Sequence, residues 1–114
     1  MNASKTLMQG LVYAGSFAVD SGQAMVGDPC YLDQWKKWED GTPFDHEQHK
    51  GEYGYLGACG TTLADNYGQL GTADAVVFST GYGDGLYPVY VKLNDDGRVG
   101  MVVIDFDGEL DDDE

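Results

Sequence analysis

Two cysteines and two histidines are the side chains of this 114-residue chain that come closest to a nucleophile and its base. Cys59 sits among small residues in "GACGTT", and Cys30 follows a proline in "DPCY". A thiol attacks as its thiolate, so a base must stand beside it. His46 and His49 both lie in the polar run "DHEQHK", and nothing in the sequence brings either near a cysteine. Both thiols therefore read as small buried hydrophobes rather than catalysts. The spacing of the histidines is not that of H-E-x-x-H zinc proteases, and a complete zinc site needs ligands from elsewhere. Solvated loop histidines are expected, with no catalytic residue, no metal and no cofactor. The alternative is a small hydrolase using Cys59 or Cys30, or a metal held by Asp28 and Asp84.

The stretch "FSTGYGDGLYPVYVKL" packs Gly81, Gly83 and Gly85 into five residues. Phosphate loops of this look need a strand before and a helix after. Here a strand follows, so the nucleotide fingerprint is rejected. Asp84-Gly85 is a favoured hairpin pair. One turn needs one or two glycines, and the third suggests close backbone approach by another segment or a ligand. The stretch "DSGQAMVGDPCY" offers Asp20, Ser21 and Asp28, which suit a hard cation or a ligand hydroxyl but also ordinary turns. We expect the Gly81–Gly85 loop to pack beside the Asp28–Tyr31 turn. Asp28, Tyr31, Thr80, Gly81, Tyr82, Gly83, Asp84 and Tyr87 are then the candidate binding residues, a few polar anchors among aromatic walls. The competing expectation is structural, with Asp28 accepting backbone hydrogen bonds from the glycine loop.

The elements that must position these groups are mostly strands. "LVYAGSFAV" and "QAMV" read as strands joined by the turn Asp20-Ser21-Gly22. "YGYLGACGTTL" alternates like a strand, "YGQL" is short, and "ADAVVFST" reads as buried. "GLYPVYVKL" and "RVGMVVIDF" form a hairpin across "NDDG", with Gly97 left-handed and a bulge. Pro88 cannot donate to a ladder, so its strand is an edge there or bulged. One helix is expected near Asp33–Trp38, where Leu32, Trp35 and Trp38 fall three apart and Asp33 caps. Residues 39–52 are polar and irregular. The fold class is all-β with minor α: a single antiparallel β-sandwich or partly open barrel with one short helix. Residues 1–110 form this domain, and 111–114 are an acidic tail.

The net charge of −14 is uneven. The last ten residues hold seven acids and no base, which leaves thirteen acids against six bases before them. An acidic body excludes nucleic-acid phosphates and anionic membranes as partners. The run "DFDGELDDDE" lacks the glycine and glutamate positions of a helix–loop–helix calcium site, and reads as solvated. No segment approaches the ~18 apolar residues of a membrane span. Two cysteines and a poor signal peptide point to a reducing cytoplasm and free thiols.

The blocks "FAVDSGQAMVGDPCYL", "YGYLGACGTTL" and "FSTGYGDGLYPVYVKLNDDGRVGMVVIDF" resemble a family of small domains of unknown function found in phages and bacteria. The resemblance covers roughly residues 16–106 and implies a cytoplasmic or phage-encoded protein, with no activity attached. We expect a non-enzymatic binding or accessory protein recognising a protein or small ligand. In a phage setting this is an inhibitor of host defence or a virion accessory protein.

Overall fold

The computed structural model describes residues 9–39 and 41–111. They form two three-stranded antiparallel sheets and a few short helices, and neither sheet closes into a barrel. The all-β class is borne out. The chain divides into two compact units, one spanning Ser21–Thr80 and the other built from the segments up to Asp20 and from Gly81.

In the second of these, β1 (Leu11–Val19), β5 (Gly85–Leu93) and β6 (Val99–Ile104) pair in the order β1-β5-β6. β5 is central, which a proline should forbid. The ladder to β6 ends at Val89 opposite Ile104, so Pro88 pairs only with Ser16 of β1. A bulge between Tyr13 and Gly15 kinks β1 close by. The hairpin turns as expected: Gly97 N donates to Asn94 O (3.0 Å), and Asn94 Oδ1 accepts from Asp96 and Arg98 N. Among the described residues, Tyr87 and Val19 are the buried apolar ones of this unit, and Phe17 and Phe106 pack against the Tyr87 ring.

The acidic run after β6 is more ordered than its charge suggests. Asp105 caps the chain reversal, accepting from Asp107 and Gly108 N through Oδ1 and from Leu110 N through Oδ2 (2.7 Å). A 3-10 turn, Glu109–Asp111, follows. Asp105→Ala is expected to cost about 1–2 kcal/mol, the scale of a lost cap, measured by urea unfolding. A change under a few tenths would show the run to be merely solvated. Residues 112–114 of the expected tail lie outside the described residues.

In the Ser21–Thr80 unit, β2 (Gln23–Gly27), β3 (Tyr67–Leu70) and β4 (Ala75–Ser79) pair in the order β2-β4-β3. The expected pairing of "LVYAGSFAV" with "QAMV" is overturned. β1 pairs with β5 and β2 with β4, because the ladder partners lie far apart in sequence. Nor is "ADAVVFST" buried throughout. Ala75 and Val77 are buried while Val76 is 47% exposed, the period of a strand with one covered face.

The expectation of one short helix fails twice. Most of residues 53–63, expected as a strand, belongs instead to the helix α2 (Tyr55–Asp65), preceded by the single turn α1 (His46–His49). Asp45 caps α1, accepting from Glu47 N and Gln48 N. On α2, Gly57, Ala58, Gly60 and Thr61 are buried, small enough to lie close against neighbouring backbone. Thr61 turns its hydroxyl back to the Gly57 carbonyl four residues earlier. Asn66 ends the helix in the left-handed conformation, its N–H on Thr62 O. Conversely, the helix expected at 33–38 is a 3-10 helix at Pro29–Gln34, capped by Asp28 rather than Asp33. Trp35 is extended and Lys36 bridges Gly54, so Lys36 N and O bond to Tyr53 O and Tyr55 N. Leu32 and Trp38 are each 55% exposed, so their spacing marks no buried helical face. The core gathers Tyr53, Ala58, Leu70, Ala75 and Val77, with Met25 and Trp35 against it.

Candidate functional site

The Lys36–Gly54 bridge brings two sequence-distant segments together, and a cleft of about 570 Å³ opens there in the Ser21–Thr80 unit. Its walls include Trp35, Lys36, Lys37, His49, Glu52 and Gly57. Trp35 is held edge-on to the Tyr53 ring (5.1 Å). His49 Nδ1 lies 3.4 Å from Glu52 Oε1, and Phe44 stacks on the imidazole. Among the described residues, neither Lys36 nor Lys37 makes an ion pair, whereas Lys50 is paired with Asp65 at 2.8 Å. The cleft thus offers two cations, the Glu39 carboxylate, a hydrogen-bonded His–Glu pair and an indole wall. That set can hold an anionic or zwitterionic group against an apolar one.

Gly57 shapes one wall. A Cβ there would overlap the Glu52 carbonyl oxygen and lie 2.6 Å from its carbon, so only glycine lets the 51–54 backbone cross the start of α2.

Cys59 stands in a separate cluster. Gln23 Nε2 donates to Cys59 Sγ (3.3 Å), Thr62 Oγ1 donates to Gln23 Oε1 (2.9 Å), and the Tyr55 phenol hydrogen-bonds the thiol. The charge of the neighbouring Cys59 sulfur raises the Tyr55 phenol above its ordinary value of 10.0, and the hydrogen bond and burial add to it. A phenol raised on folding stabilises the native state at neutral pH, and that contribution is lost as pH climbs through the raised value. Cys59→Ala should therefore let Tyr55 ionise at lower pH, read from its ring-carbon NMR shift. An unchanged titration would remove Cys59 as the cause. Both cysteines are free, Cys30 exposed and Cys59 partly so. Among the described residues, no three of His, Cys, Asp and Glu gather as a metal site.

The sequence candidates fall in both units. In Ser21–Thr80, Asp28 Oδ1 accepts from Cys30 N (2.9 Å) as the cap of the 3-10 helix, and Tyr31 is 39% exposed. Thr80 is fully buried, its N–H and hydroxyl both directed to Gly22 O. In the other unit, the Tyr87 hydroxyl donates to Gly83 O (2.8 Å) and ties down the glycine loop, while Tyr82 is 72% exposed. Asp84 lies within this loop, between Gly83 and Gly85. Gly81, Gly83 and Gly85 have φ of 83°, 84° and 156°. Nothing stands within 4 Å of a Cβ at Gly81 or Gly83, so conformation and not close approach requires glycine there. Sequence reasoning missed the cleft. Lys36 and Lys37 lie in the stretch expected as a helix, and nothing local announced the bridge to Gly54.

The fold is thus a small, mostly β protein with a cleft on one unit and no helix, among the described residues, long and apolar enough to cross a membrane. The chain belongs to the family described as "Protein of unknown function (DUF4241)", whose model matches residues 2–104. No curated protein and no solved structure matches it.

Proposed function

We propose that this chain is a non-enzymatic binding module that takes a protein segment or small ligand in the Lys36–Lys37 cleft. The observation that carries this reading is the pair of lysines without ion partners beside Trp35, in a chain of net charge −14. Cations left unpaired in an acidic protein suit an anionic group from outside. The hydrolase reading is weaker on geometry: the Cys59 thiol is engaged by Gln23 and Tyr55, while His49 is engaged by Glu52 and Phe44. The Gly81–Gly85 loop, with its exposed Tyr82, is a second recognition element under the same proposal, since an exposed tyrosine on a tied-down loop suits a protein partner. The free thiols and the resemblance to phage and bacterial domains fit an accessory role in a bacterial cytoplasm, such as inhibition of host defence.

The test follows Trp35 fluorescence in a Trp38→Phe background during titration with acetate, inorganic phosphate and glycine. We expect a saturable change with at least one probe, lost in Lys36→Ala/Lys37→Ala. Silence with all three, together with ester hydrolysis that disappears in Cys59→Ala, would overturn the binding reading in favour of the hydrolase.

A further inference from the structure

A second pocket in the Ser21–Thr80 unit, about 150 Å³, shares Trp35 as a wall with the cleft. Ala58 and Val77, 3% and 1% exposed, line it, and so do Met25 and Tyr55. It therefore reaches the apolar core. The pocket is open to solvent on one side, and its volume of about 150 Å³ is the room a benzene ring needs.

Of the polar groups on its walls, the Gln23 amide is used at both ends, towards Cys59 and Thr62, and Ser21 also lines the pocket. The walls thus offer little to a polar substituent on a ring. An apolar side chain carries no such substituent. We propose that this pocket takes one apolar side chain of phenylalanine's size from a polypeptide partner, whose nearby carboxylate lies in the Lys36–Lys37 cleft. This deepens the binding reading above and rests on it for the carboxylate.

The test is methyl NMR of the whole chain, titrated separately with N-acetylphenylalanine, its amide, N-acetylglycine, acetate and p-cresol. Both phenylalanine probes should shift the Met25, Ala58 and Val77 methyls saturably, with N-acetylglycine leaving them unmoved. The acid should bind roughly twofold to fivefold more tightly than the amide, the scale of an exposed charge pair. Ala58→Leu fills the pocket and should weaken both by about tenfold; because Leu can disturb the core, the wild-type titration decides alone. Unmoved methyls with both phenylalanine probes overturn the proposal, even if acetate still binds the cleft. Methyl shifts with no preference for the acid, beside a cleft silent to acetate, keep the apolar pocket and overturn the cleft. Tighter binding of p-cresol than of either phenylalanine probe assigns the pocket to free aromatic compounds and overturns the polypeptide.

Discussion

Gly57→Ala is expected to destabilise the Ser21–Thr80 unit by about 3 kcal/mol, the upper range of overpacking a close contact. The added methyl meets backbone, not a flexible side chain: the Glu52 carbonyl oxygen, its carbon at 2.6 Å and its Cα at 2.8 Å. Backbone here is hard to move. Gly54 N bonds to Glu52 O, Lys36 N to Tyr53 O and Tyr55 N to Lys36 O, so shifting Glu52 strains the bridge that forms the cleft. The variant should lose cleft binding along with stability. Gly83→Ala is the contrast: its methyl meets nothing within 4 Å, and only the positive φ of 84° costs, about 1 kcal/mol. Equal losses in urea unfolding for the two variants would show that the crossing at Gly57 is looser than drawn.

Leu70→Ala should cost about 3 kcal/mol, within the range for emptying a buried leucine site. Leu70 has no exposed surface and lies in the cluster with Tyr53, Ala58, Ala75 and Val77. It also ends β3 where the chain reverses, its carbonyl accepting from Asp74 N, so its neighbours are pinned and collapse poorly into the space. Unlike Gly57→Ala, it leaves the 51–54 crossing intact, and cleft binding should survive in whatever fraction stays folded. A loss under 1 kcal/mol in urea would show the core closing around the deletion.

Strand existence was legible where alternation and turn chemistry agreed. β5, β6 and the Asn94–Gly97 turn announce themselves because every signal there is local. Partners were not legible, since pairing β1 with β5 closes a long loop that no short window contains. α2 was misread because Tyr53 and Tyr55 alternate, Gly57 and Gly60 are poor helix formers, and Thr61 and Thr62 favour strands. Tertiary packing of its small face overrides propensity, and Asn66, a natural left-handed terminator, was the signal available. Of the expected site residues, Tyr87 anchors the glycine loop and Asp28 caps the 3-10 helix, both local contacts that residue type announces. The Lys36–Lys37 cleft depends on a bridge between positions 36 and 54, and single-sequence periodicity carries no trace of it.

The central claim is that recognition centres on this cleft. The most direct measurement is an assigned amide ¹⁵N–¹H NMR map during titration with acetate and N-acetylphenylalanine. Saturable shifts should concentrate at residues 35–37 and 49–57 with both probes, and extend to residues 23–25, 58 and 77 with N-acetylphenylalanine. Shifts confined to 28–31 or 81–85, or none anywhere, would contradict it.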